Sequence, residues 1–385
     1  MASRLLIRNG VLAIQGRPQR GDVLCEGERI VAIGRDIVAG DAVVLDATGM
    51  MLGPGFVDVH VHGGGGFSFF TKNPKQIASY ADWAPHNGVT SFLISTLGRD
   101  AEETETVLNG LRPMVGRPGG AEPLGFHLEG PFINPIRKGA FDERMLRTPI
   151  QEEFGRYQDA AGGLIRQVTI APELPWALDV IASAQHTGAI PAMGHTDATS
   201  EIARLGFETG VGHVTHLFNA MRPIHQREGG PIVAALMEEA VTCELICDGA
   251  HVAPDLLRLA YRSLGPTRTV IVTDNMTIAG TTATTGNFAG GTFTTEGAAA
   301  KRDDGVIVGS VATMDQHFRN AIAFLGIEPT TAFRLCATNP ARVAGASRRK
   351  GMLDRGYDAD IVLLDSDLQV AATVCRGAVV FQRGS

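Results

Sequence analysis

Eight short apolar runs recur along the middle of this 385-residue chain, at 56–62, 90–96, 123–129, 167–172, 189–195, 211–216, 242–248 and 269–274. Longer stretches with helix-like spacing lie between them, among them 75–87, 101–115, 176–187, 199–209 and 254–263. Runs of that length suit strands, and the intervening stretches suit helices that carry the chain back across a parallel sheet. Eight such repeats over roughly 250 residues predict an α/β protein built on a (β/α)8 TIM-type barrel. An open doubly wound sheet is the alternative. It would carry a Gly-x-Gly-x-x-Gly phosphate loop after its first strand, and none follows the first run.

The two ends of the chain have a different texture. Residues 4–14 and 22–33, and again 360–365 and 372–381, are short β-like segments with hairpin signals. They are expected to pair into one small β-sandwich domain, 1–52 plus 346–385, with the barrel occupying 53–345. Before the chain returns to that domain, a Gly/Thr-rich segment, 279–300, is expected to form a loop or small hairpin over one face, in the manner of a lid. Two helices at about 312–325 and 329–344 follow it.

Composition narrows the partners. With 34 basic against 41 acidic residues the formal charge is −7, and no Lys/Arg-rich run is present, so nucleic acid is not an expected partner. No run of 18 apolar residues exists, and Arg4, Arg8 and Asn9 interrupt the N-terminus, so neither a membrane span nor a signal peptide is expected. The five cysteines are scattered without Cys-x-x-Cys spacing. Buried thiols in a reducing, cytoplasmic setting are the expectation, Cys243 and Cys247 included.

Chemistry enters with the first run. Val57, Val59 and Val61 alternate with Asp58, His60 and His62, so both imidazoles point to one side of a strand, about 7 Å apart. A half-buried strand that happens to carry histidine is the ordinary explanation for such a pair. The ends of the other runs weigh against it. Active sites of barrels lie at the C-terminal ends of the strands. There the third run ends in Glu129, the fifth in His195 and the sixth in His216. The seventh ends in Asp248, with His251 just beyond, and the eighth in Asp274. Histidines and carboxylates without thiolate suit a divalent ion such as zinc, iron, manganese or cobalt. Glu129, His195 and His216 form a three-ligand set, and His60 and His62 can hold a second ion, so one or two ions are expected. Asp274 is then the natural general base beside an acidified water.

The remaining histidines weigh less. His86, His186 and His317 sit in helical contexts and are expected to be structural. His127 shares the side of the strand that carries Glu129 and is open between support of the site and packing. His213, an odd number of residues before His216, is expected to face away from the site. His225 is undecided.

Several stretches together resemble the amidohydrolase superfamily, and within it the N-acetylglucosamine-6-phosphate deacetylases. They are Pro54–Gly63, His127–Phe132, Lys138–Ala140, Gly194–Thr196, Thr215–Met221, Asp248–His251, Val272–Asp274, Gly309-Ser310 and the closing Gly351–Ile361. The resemblance spans essentially the whole chain. It implies metal-dependent hydrolysis of the acetamide of a 6-phosphorylated amino sugar, in amino-sugar catabolism. It implies Glu129, His195 and His216 as core metal ligands and Asp274 as the acid/base. It places Asn219, Ala220, Arg227 and His251 at substrate, with Ala140, Asp248, Ile307, Val308 and Gly309 beside them. It also implies a homodimer in which Arg227 reaches a neighbouring subunit's site. Two positions depart from the family pattern. Phe141 stands where histidine is common after Lys-Gly-Ala, and Asn275 stands where a small residue is common. They keep open an epimeric sugar phosphate (the galactosamine form), an N-acyl amino acid, or a non-catalytic sugar-phosphate-binding role.

Overall fold

A computed structural model describes residues 3–384 apart from 15, 16, 39 and 118. Eight parallel strands form its centre: Phe56–Asp58, Val89–Thr96, Glu122–Glu129, Ile165–Ile170, Ile190–Met193, His213–Val214, Thr242–Ile246 and Thr269–Val272. Each pairs with the next in chain order. The expected barrel is therefore present, and each of its strands falls on one of the eight runs.

The first and last strands meet just past their regular ends. The Asp274 N–H donates to the His60 carbonyl at 2.8 Å, and the His62 N–H donates to the Asn275 carbonyl at 2.9 Å. Below them the fully buried Asp58 accepts from the Thr273 hydroxyl at 2.6 Å. Two backbone bonds and one side-chain pair thus close the barrel at a seam.

The strands are buried on both faces, as a helix-wrapped parallel sheet requires. Phe92 and Ile94 join the large apolar cluster shared with the helices, while Ser91 and Ser95 face the other way. Cys243 and Leu245 likewise face the helices and turn Glu244 to the interior.

Helices follow the strands at Pro74–Trp83, Ala101–Leu111, Gln151–Ala161, Ala177–His186, Ser200–Thr209, Gly230–Met237, Pro254–Arg268 and Met314–Leu325. Gln151–Ala161 and Gly230–Met237 are additions to the amphipathic stretches named above. The first buries Phe154, Tyr157, Gln158 and Ala161 at helical spacing with Glu153 beside them, so polar residues dilute its stripe, and the second is apolar almost throughout. The helix from Pro254 breaks at Gly265, whose φ is 68°, with Pro266 next to it.

The two chain ends pair as expected. Arg4–Ile14 binds Arg17–Glu26 on one side, and Val43–Asp46 and Met51–Pro54 on the other. Met51–Pro54 in turn pairs with Ile361–Leu364, which continues into Val370–Cys375 and Ala378–Gln382. One hydrogen-bonded set of eight strands with its own apolar cluster results.

The 279–300 region is more ordered than a loop. Thr285–Phe288, Gly291–Glu296, Ala299–Lys301 and Ile307–Ser310 make a four-stranded antiparallel sheet. Its strand Ile307–Ser310 lies against the end of the eighth barrel strand, where the Ser310 N–H donates to the Asp274 carbonyl at 2.8 Å.

Candidate metal centre and active site

His195, His216 and Asp274 each stand two residues beyond a regular strand end, in left-handed backbone conformation with φ of 48°, 30° and 51°. Non-glycine residues rarely adopt that region, and in folded proteins such strain gathers at functional sites. Here it swings three side chains over the barrel mouth. Glu129 reaches the same place from the end of a regular strand.

The carboxylate of Glu129 joins two groups of ligand atoms. Its Oε1 lies 3.0 Å from His195 Nε2 and 2.9 Å from His216 Nε2. Its Oε2 lies 3.0 Å from His62 Nε2. Asp274 Oδ1 is 3.3 Å from His62 Nε2 and 3.5 Å from His60 Nε2. Two compact triads result, His60–His62–Asp274 and Glu129–His195–His216.

The tautomers decide what these atoms can do. His195 Nδ1 donates to the Arg137 carbonyl at 2.7 Å, and His62 Nδ1 to the Ser95 carbonyl at 3.2 Å. A carbonyl can only accept, so each Nδ1 carries a proton, and each ring, when neutral, offers its Nε2 lone pair to the centre. Yet Nε2 of His195 is 3.0 Å from Nε2 of His216, and Nε2 of His60 is 3.2 Å from Nε2 of His62. Lone pairs so close to one another and to carboxylate oxygens repel unless positive charge lies among them. The field agrees. Burial opposes charge on His60, but Glu129, Glu244 and Asp274 hold its pKa well above the ordinary imidazole value. Burial likewise opposes charge on His62, and Asp274 and Glu129 raise it to about 9. The cluster is a well for cations, and its donors fit a divalent ion.

A cavity of about 270 Å³ opens over the triads. His62, Glu129, His195, His216 and Asp274 form part of its lining, together with Ala140, Asn219, Ala220, His251, Ile307 and Val308. His60 lies beneath, fully buried. Three residues of the expected contact set stand outside the lining. Asp248 is spent on His251, accepting from its Nδ1 at 2.6 Å and its backbone N–H at 2.9 Å. Gly309 packs on backbone, where a Cβ would sit 2.6 Å from the Asp274 carbonyl oxygen. Arg227 is exposed on the loop after Met221 and does not reach the cavity of its own chain.

Phe141 does line the cavity. Its ring stands edge-on to His195 at 5.6 Å and to Phe288 at 5.5 Å, which makes an apolar wall. Asn275 is buried and not among the residues lining the cavity, and its Oδ1 has no hydrogen-bond partner among the described residues.

His127 belongs to the support. It binds Ser95 Oγ at 3.0 Å and Thr169 Oγ1 at 2.9 Å, and burial keeps it neutral by lowering its pKa well below the ordinary value. His213 contradicts the expectation that it faces away. Its Nε2 lies 3.0 Å from Glu244 in the interior, because the strand ends at Val214 and the spacing to His216 is no longer that of a strand. Glu244 and Phe288 escaped the sequence reading. The signal for Glu244 is a lone acid inside the apolar run Val241–Cys247. Phe288 lies in the segment expected to be a loop or small hairpin, and nothing in its neighbours marks it.

The chain can now be set beside known proteins. The model of the amidohydrolase family matches residues 51–380. The N-acetylglucosamine-6-phosphate deacetylase of Bacillus subtilis is 35% identical over 332 residues, covering 85% of this chain and 84% of that protein. The one from Lysinibacillus sphaericus is 30% identical over 383 residues, 98% of each. Among solved structures, an N-acetyl-D-glucosamine-6-phosphate deacetylase variant from Mycobacterium smegmatis, in complex with N-acetyl-D-glucosamine-6-phosphate, superposes with a TM-score of 0.92. It is 34% identical, and the match covers 99% of this chain and 100% of that one. Similarity of this extent, over a barrel whose strand ends carry two histidine–carboxylate triads, has one reading: the chain belongs to the amidohydrolase family.

Proposed function

We propose that the chain hydrolyses the acetamide of N-acetyl-D-glucosamine 6-phosphate to acetate and D-glucosamine 6-phosphate, as its relatives' names describe for them. The observation that carries this reading is Glu129 shared between two triads beneath one cavity, with Asp274 at its edge. Two divalent ions, zinc, iron, manganese or cobalt, would be held by His60, His62 and Asp274 and by Glu129, His195 and His216. A bound divalent ion supplies Lewis acidity, which polarises a carbonyl and acidifies water.

The chain's own residues do the rest. Asp274 takes a proton from water as the water oxygen bonds to the acetyl carbon. It returns that proton to the amide nitrogen as the C–N bond breaks, so the amine leaves neutral. Phe141 and Phe288 keep bulk water from the acyl side. Asn219 and His251 offer polar contacts to the sugar phosphate, and Asp248 orients His251.

No lysine or arginine is among the described residues lining the cavity. A phosphate dianion calls for a fixed cation. The resemblance to the deacetylases gives that role to Arg227 of a second subunit in a homodimer, and we adopt it here. A cytoplasmic site of action completes the reading; none of the helices among the described residues is long and apolar enough to cross a membrane.

The test is acetate release by metal-reconstituted protein. N-acetyl-D-glucosamine 6-phosphate should turn over at ordinary enzymatic rates, well ahead of the galactosamine epimer and of unphosphorylated sugar. Equal rates on all three would remove the proposed substrate. No release from any of them, with metal bound, would remove the proposed activity.

A further inference from the structure

Glu244 lies in the seventh barrel strand, fully buried, with its side chain turned away from the helices. A buried carboxylate costs several kcal/mol unless its oxygens are satisfied. Every acceptor direction here is used. Oε2 accepts from His60 Nδ1 at 2.9 Å and from the His216 backbone N–H at 2.9 Å. Oε1 accepts from Gln167 Nε2 at 2.8 Å and from His213 Nε2 at 3.0 Å. Glu244 itself is not among the residues lining the cavity, so it is neither a base nor a substrate contact. The single oxygen Oε2, however, touches one member of each triad.

We propose that Glu244 is a positioning residue for both halves of the metal centre, through the ring of His60 and the backbone of His216. The proposal rests on the metal reading above. An ionised carboxylate cannot donate, so the His60 proton sits on Nδ1 and the Nε2 lone pair faces Glu129 and Asp274. His216 leaves its strand with a φ of 30°, a conformation uncommon for any residue but glycine. The bond from its N–H to Glu244 is one of the contacts that over-determine that turn. Glutamine in the same place has one acceptor oxygen and one N–H₂ group. Turned with its N–H₂ towards His60 and His216, it meets the His216 N–H with a donor; turned the other way, it makes Gln167 flip its amide and His213 change tautomer, and it no longer offers His60 a charged acceptor.

Zinc titration of metal-stripped protein against a chromophoric chelator tests this. E244Q should lose affinity at both sites by roughly 10–100-fold, the range seen when partners of metal-bound histidines are removed. E244Q binding both ions as tightly as wild type overturns the proposal alone. Wild type that takes up no zinc overturns the metal reading, and this proposal with it. A second measurement needs no variant of Glu244 to fold. In zinc-loaded wild type, ¹H–¹⁵N correlation of the His60 ring, assigned by its loss in H60N, should show the proton on Nδ1. A bare Nδ1 overturns the proposal.

Discussion

Asp274 combines three roles in one residue: its N–H helps close the barrel, its strained backbone aims the carboxylate, and the carboxylate meets both histidines of the first triad. Asparagine keeps the shape and loses the proton-accepting function. D274N should therefore lower kcat by roughly 10²–10⁴-fold, the span that general acid–base groups supply. Metal analysis should still find the ion of the Glu129 triad in that variant, and full activity would exclude Asp274 as the base. R227A should raise KM for the phosphorylated sugar far more than for the unphosphorylated one, and light scattering should report a dimer in both forms. The residues that meet at the metal centre were legible because barrels deliver strand ends to one place, and polar residues at six strand ends stand out against apolar runs. His213 and Glu244 were not. The first depended on a strand that stops two residues before His216, and the second on contacts that form only when three other strands close around it.

At the scale of elements, the small sheet spanning 285–310 does what a loop cannot. It holds Phe288 and the Val306–Val308 edge of the cavity in fixed places. Phe288 is the one lining residue shared with a neighbouring cavity of about 510 Å³. F288A should join the two spaces. The expected result is a KM higher by roughly tenfold with metal content unchanged, since loss of an apolar contact acts mainly on binding. Steady-state kinetics with metal analysis would show it, and an unchanged KM would mean the wall does not touch substrate. The sheet was hidden in the sequence because its strands are short and rich in Gly and Thr, without the apolar alternation that marks a half-buried strand. Strand and helix order elsewhere was legible, because eight repeats of one unit constrain each other.

Across the whole molecule, one strand links the site to the terminal sheet. Glu129 ends the third barrel strand in the metal centre, and Glu122 begins it in a buried ion cluster. Lys350 Nζ meets Glu122 at 2.7 Å, Asp358 at 2.9 Å and Asp360 at 2.5 Å, while Arg349 bridges Glu122 and Asp358. K350M strips a cation from three buried carboxylates and should destabilise the fold by about 3–5 kcal/mol, read from urea unfolding. Burial alone would raise the pKa of Glu122, but Arg349 and Lys350 hold it down to about 2, below its ordinary 4.5. Its contribution is thus present above pH 4.5 and is lost as pH falls from there towards 2. The urea midpoint of wild type should fall more steeply across that window than that of E122Q. The seam between the first and last barrel strands has a consequence for synthesis. A ribosome that has released residues up to 216 has delivered every ligand of the Glu129 triad, whereas the other triad pairs His60 and His62 with a residue more than 200 positions later. The two sets of ligands therefore differ in history: one is complete within the growing chain, and the other comes together only when the circle of strands shuts.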